Sequence, residues 1–167
     1  MSNGFFDLLA LQGVAFPHTN VTSTATVGFE EKDGRDTAYV HITDALFTVD
    51  GYFSLALGFS SLSMSAAQAK KLPGVTAGEV IYLYGEMYAD DLSDDREASL
   101  QVRFFDESGV MQGAMQEVEI TEAGEWQAIA QAMYVPTGAT RVNFYLHAGC
   151  GEGETIQAWL AHVKITR

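Results

Sequence analysis

Apolar and polar positions alternate with a period of two in several short stretches of this chain. Glu79–Ala89 is the clearest. Ile81, Leu83 and Met87 point one way, with Gly85 among them, and Tyr82, Tyr84, Glu86 and Tyr88 point the other. A two-residue period places such sets on opposite faces of a β-strand. Ala98–Phe105 repeats the pattern, with Leu100, Val102 and Phe104 opposed to Gln101, Arg103 and Phe105. Thr140–His147 does so again, with Val142, Phe144 and Leu146 opposed to Arg141, Asn143, Tyr145 and His147.

Other segments read as strands with less contrast. Thr22–Glu30 and Arg35–Thr43 flank a Lys32-Asp33-Gly34 turn signal. Phe47–Phe59 is interrupted only by a turn-like Asp50-Gly51. Glu117–Thr121 carries Val118 and Ile120 inward after a weaker region. Trp126–Val135 is closed by Pro136, and Ile156–Ile165 is the last strand. Ser65–Lys71 suits one helical turn, Asp106–Gly109 a tight turn and Gly149–Gly153 a glycine-rich loop. Short strands with frequent turns predict an all-β fold, a jelly-roll β-sandwich, with an up-and-down barrel left open because periodicity carries no connectivity.

With 167 residues the chain suits one domain. The expected organisation is an irregular lead-in or arm over residues 1–20 and a sandwich over 21–167. Phe5, Phe6, Leu8, Leu9 and Leu11 make the lead-in apolar. Leaving large apolar side chains in water costs roughly 1.5–3 kcal/mol each, so this segment is expected to dock on the domain or on a partner.

The formal net charge of -13 disfavours the phosphate backbone of nucleic acid and anionic membrane surfaces. No stretch is long and apolar enough to span a bilayer, so no membrane insertion is expected. The apolar N-terminus lacks a basic leader and is interrupted by Asp7, which predicts no export signal. A single cysteine, Cys150, rules out an intrachain disulfide.

A resemblance emerges in the second half. Gly78 precedes a strand, and Phe104-Phe105-Asp106 and Gly109 follow. Then come Thr121-x-x-Gly124-x-Trp126, Val135-Pro136-x-Gly138-Ala139 and a terminal Trp159-Leu160-Ala161-His162-Val163-Lys164-Ile165. This order resembles carbohydrate-binding modules of the galactose-binding-like jelly-roll fold, over about residues 76–167. The resemblance implies scaffold roles for the shared residues, with Trp126 anchoring an edge of the core. Such modules often carry a structural calcium ion. Ala161 and His162 stand where an aspartate is common, so no ligand carries over there. The fold is reused in enzyme appendages, adhesion domains and virion surface proteins.

Candidate surfaces follow from the residue types. Tyr82, Tyr84, Glu86 and Tyr88, joined by Arg103, Phe105 and Tyr145, offer aromatic planes and planar polar groups. Gln101, Arg141, Asn143 and His147 belong to the same palette. It suits a glycan, a protein interface or simple packing beneath a loop. Asp90, Asp91, Asp94, Asp95 and Glu97 offer oxygens to Ca2+, or form a solvated acidic loop. Asp33, Asp36, Asp44 and Asp50 read as turn residues. The four histidines show no metal-ligand spacing, and no catalytic motif occurs, so no enzyme is expected.

The function expected from this combination is a virion structural protein. It would be a phage decoration or cement protein that clamps coat protein subunits through Phe5, Phe6, Leu8, Leu9 and one sheet face. Homo-oligomerisation, with a trimer among the options, would suit lattice sites. A carbohydrate-binding module or adhesin, with a glycan as partner, is the alternative, and an accessory subunit of an enzyme assembly is a third.

Overall fold

Asp33 and Gly34 both take positive φ, 53° and 77°. Two such residues in succession form the tight turn whose twist suits a β-hairpin. They join β3 (Thr24–Lys32) to β4 (Arg35–Thr43), with Lys32 paired to Arg35. The computed structural model describes residues 4–7, 16–17, 24–43, 45, 47–57 and 62–167. Before the hairpin come β1 (Gly4–Asp7) and β2 (Phe16–Pro17). After it come β5 (Val49–Ser54), the helical turn α1 (Ala66–Ala69), β6 (Val80–Ala89) and β7 (Glu97–Phe105). The chain ends with β8 (Met111–Glu119), β9 (Gln127–Tyr134), β10 (Arg141–Cys150) and β11 (Ile156–Thr166).

These strands form two antiparallel sheets. One has the order β3-β4-β11-β6-β9, with β1 also paired to β11; the other has the order β2-β5-β10-β7-β8. The last strand therefore lies between β4 and β6, and β10 lies between β5 and β7. This crossing order makes the fold a jelly-roll sandwich rather than a barrel. The segment expected as a lead-in arm touches both sheets: Phe6 pairs with Ile165, and Phe16 pairs with Tyr52. Phe5 and Phe6 fall in β1, while Leu8 and Leu9 lie outside the described residues.

The alternation read from the sequence decides the core. Ile81, Leu83 and Met87 from one sheet and Leu100, Val102, Phe104, Val142, Phe144 and Leu146 from the other are fully buried in one cluster. Phe29 meets Phe53 edge-on, with ring centroids 5.3 Å apart. Large buried side chains of this kind contribute roughly 1.5–3 kcal/mol each.

Three local expectations fail for physical reasons. Asp50-Gly51 is not a turn, because β5 runs straight through it. A Cβ on Gly51 would sit 2.8 Å from Val40 Cγ1, so the glycine is there for close approach between sheets. Gly149 is likewise within β10, paired with Asp50 and Glu97, and does not belong to the loop that follows. The weak region before Glu117 is the first part of β8. This edge strand has almost no buried side chains, so its sequence carries no alternation to read. The expected helical turn does form, with Ser65 and Gln68 exchanging cap hydrogen bonds.

Candidate functional site

Position within β6 settles where its tyrosines go. The strand is flanked by β11 and β9, so its outward residues gain neighbours from both. Tyr82 lies between Thr166 and Ala132, and Tyr84 between Lys164 and Ala130. Glu86 lies between Ala161 and Ala128. The exposed alanines of β9 are too short to cover the rings. Tyr82 and Tyr84 therefore remain 43% exposed, and Tyr134 on the same face is 67% exposed.

The β3–β4 hairpin tip folds toward this shelf. Between them lies an open depression of about 560 Å³, lined by Asp33, Gly34, Arg35, Tyr84, Glu86 and His162 among others. Arg35 Nε donates to Glu86 Oε2 at 3.0 Å, and His162 Nδ1 lies 2.6 Å from the same oxygen. The Arg35 hydrogen bond, followed by that of His162, holds the Glu86 carboxyl below the usual carboxylate range. His162 reaches this position from a bulge in β11, where its backbone is left-handed with φ 54°.

Arg35 also packs over Trp126, with its guanidinium carbon 4.4 Å from the ring centroid. The Trp126 indole N–H donates to Asp33 Oδ2 at 3.0 Å. Trp126 thus braces the hairpin tip on the outer surface; it does not anchor the core as expected. Tyr88 is committed to the same brace. Its ring is 5.6 Å from that of Trp126 and 5.5 Å from that of Trp159, and Lys32 Nζ stands 4.3 Å from its centroid. Trp159 donates to Glu30 at 2.6 Å. The sequence reading missed Lys32, Arg35 and Trp159 as parts of this surface. The one available signal was a hairpin whose turn is flanked by two cations.

Arg103, Phe105 and Tyr145 lie elsewhere. They belong to β7 and β10 of the five-stranded sheet, so the expected continuity with the Tyr82–Tyr88 face does not occur. Their outer face is polar yet dry. Ser54, Ser99, Gln101, Asn143 and His147 are all buried, and Tyr145 and Phe105 are almost wholly so. Most of these groups satisfy one another: Ser54 donates to Asn143 at 3.0 Å, Asn143 to Tyr145 at 2.9 Å and Arg103 Nη2 to Gln101 at 3.2 Å, while Arg103 Nε is buried without a hydrogen-bond partner among the described residues. Burial pushes the Tyr145 hydroxyl up to about 12. Arg103 lies 5.9 Å and 5.7 Å from the ring centroids of Tyr52 and Tyr145. Arg141 turns away to ligate the Leu72 carbonyl at 3.1 Å.

The acidic loop after β6 is held internally. Arg96 Nη1 lies 3.7 Å from Asp91, 3.6 Å from Asp94 and 3.4 Å from Glu154. Asp90 accepts from the Gln157 backbone. Among the described residues, a different group could hold a divalent cation: Asp50, Glu97 and His147, whose donor atoms all lie within 4.8 Å of one another. Its carboxylates supply oxygens of the kind Ca2+ takes. Cys150 is buried, and burial followed by Glu154 pushes its thiol up, away from nucleophile chemistry. Among the described residues no helix is long and apolar enough to cross a membrane.

No family model matches the sequence, and no curated protein matches it. Solved structures do share the fold. The enzymatically active domain of bacteriophage CBA120 tailspike protein 4 superposes with a TM-score of 0.58 at 12% identity, over 90% of this chain and 18% of that one. The Clostridium thermocellum endo-1,4-β-D-xylanase 10B CBM22-1 and GH10 modules, complexed with xylohexaose, give 0.54 at 14% identity, over 100% and 29%. A structure described among carbohydrate-binding modules of the β-sandwich superfamily gives 0.57 at 9% identity, over 99% and 62%. The chain thus spans less than a third of the first two proteins. These likenesses establish an all-β jelly-roll of galactose-binding-like type.

Proposed function

We propose that this chain is a carbohydrate-binding module whose ligand lies along the outer face of the six-stranded sheet. The observation that carries this reading is the exposed Tyr82 and Tyr84 rings beside the convergent Arg35, Glu86 and His162. A sugar offers C–H faces that pack on aromatic planes and hydroxyls that both donate and accept. Tyr82 and Tyr84 supply the planes, Arg35 and His162 the donors, and Glu86 the acceptor. Pre-set hydrogen bonds hold these polar groups, so little side-chain freedom is lost on binding.

The same geometry favours binding over catalysis. A glycosidase acid needs a carboxyl raised into the protonated range. Arg35 drives Glu86 the opposite way. The test is a screen of soluble glycans followed by calorimetry with Tyr84→Ala. Binding by the intact chain and its loss in the variant are expected. No binding by the intact chain, or unchanged binding by the variant, would overturn the proposal.

A place on a phage particle is a second reading, supported by the fold shared with the tailspike domain. It assigns the tyrosine shelf to coat subunits and the first strand to the same contact. Co-sedimentation with particles, unaffected by soluble sugar, would favour it.

A further inference from the structure

The polar outer face of the five-stranded sheet ends in a group that the tyrosine shelf does not use. Asp50 ends one row on β5, Glu97 another on β7, and His147 stands between them on β10. His147 Nε2 is 3.1 Å from Asp50 Oδ1 and 3.7 Å from Glu97 Oε1. The imidazole is 4% exposed, so its direction is set by packing. Tyr52 stacks on it at 4.6 Å, and Ser99 Oγ meets Nδ1 at 3.3 Å. A partner on the second ring nitrogen is the usual device for aiming the first at a metal.

A second observation comes from the backbone. Gly149 pairs with Asp50 on one side and Glu97 on the other. A Cβ there would lie 2.5 Å from Asp50 Oδ1 and 3.2 Å from Glu97 Oε1. The missing side chain is the space through which both carboxylates lean toward His147. A side chain there would force Asp50 Oδ1 to move and press on Glu97. Asp50 and Glu97 belong to strands two apart, with β10 between them, and a side chain on β10 would ordinarily stand between the two carboxylates. This sheet brings the two together above a glycine and places an imidazole nitrogen between them.

We infer that Asp50, Glu97 and His147 form a divalent-cation site suited to a first-row transition ion such as zinc. Zinc takes imidazole nitrogen and carboxylate oxygen at about 2.0–2.2 Å in a four-coordinate shell. Three protein ligands leave the fourth position to water. Calcium takes six to eight oxygens and gains little from an imidazole. The more exposed Asp50 and Glu97 can rotate to close the remaining distance, while His147 stays fixed. The site is independent of the proposed glycan surface, which lies on the other sheet.

The experiment uses the full chain freed of metal with a chelator. Zinc or calcium alone is titrated by calorimetry, and the histidine ring signals are followed by NMR. One zinc per chain is expected, with the His147 ring signals moving and those of His162 unmoved. Glu97→Gln and Asp50→Asn are each expected to weaken zinc at least tenfold, and His162→Gln to leave it unchanged. Thermal unfolding of each metal-free variant reports whether the fold is intact. Gly149→Ala is expected to weaken zinc as well. Zinc binding equal in Glu97→Gln and the unaltered chain would overturn the site. So would unmoved His147 signals, or calcium bound as tightly as zinc.

Discussion

The imidazole of His162 meets the Glu86 carboxylate at 2.6 Å from a backbone that is itself left-handed. Histidine tolerates this region better than most residues, but a glycine would occupy it without strain. His162→Gly should therefore change folding stability by less than about 1 kcal/mol, the relieved strain offsetting the lost contact. Glycan affinity should fall all the same. Denaturant titration beside calorimetry separates the two effects.

Glu86 links this pair to pH. Its folded-state value is depressed, chiefly by Arg35 and then by His162, below the ordinary 4.5. A depressed carboxylate contributes stability that is present above its unfolded value and is lost as pH falls through the folded one. Glycan binding should accordingly persist through the ordinary carboxylate range and fail only below it. Glu86→Gln should remove that acid limb, as a pH series of binding isotherms would show.

Tyr145 sets the opposite limit. Burial raises its hydroxyl from 10.0 to about 12. The unfolded chain thus loses this proton first, and stability falls as pH rises from the ordinary value toward the raised one. At about 1.4 kcal/mol per pKa unit, the loss approaches ~3 kcal/mol. Tyr145→Phe should lose that steep alkaline decline. It should also lose about 1 kcal/mol at neutral pH, because Asn143 loses its acceptor. Urea midpoints measured across the alkaline range test both.

Gly51 marks a close approach between the sheets. A methyl group there would meet Val40 Cγ1 at 2.8 Å, and Val40 is fully buried. Gly51→Ala should cost about 1–3 kcal/mol through overpacking. A turn glycine with ordinary φ would cost much less, so the denaturant midpoint distinguishes the two roles.

Trp126 supports the hairpin tip from outside the core. Trp126→Phe should cost only about 0.5–1.5 kcal/mol, the value of its hydrogen bond to Asp33. A buried core tryptophan truncated to alanine would cost about 3–5 kcal/mol. Glycan affinity should drop modestly in the Trp126→Phe variant, because phenylalanine offers Arg35 a smaller and weaker ring face and no longer ties the hairpin tip through Asp33.

Much of this protein was determined by its sequence. Period two in Ile81–Tyr88, Leu100–Phe105 and Val142–His147 fixed which side chains meet in the core and which look outward. The Asp33-Gly34 turn fixed a hairpin, and the absence of alternation before Glu117 concealed an edge strand. Tertiary structure alone decided that Tyr84 and Tyr145 face away from each other on separate sheets. It also brought Arg35 to Glu86 across 51 residues, and His147 to Asp50 across 97. The reason is physical: alternation reports the face of a strand, a local property, whereas the neighbours on that face come from strand order, which long-range pairing sets.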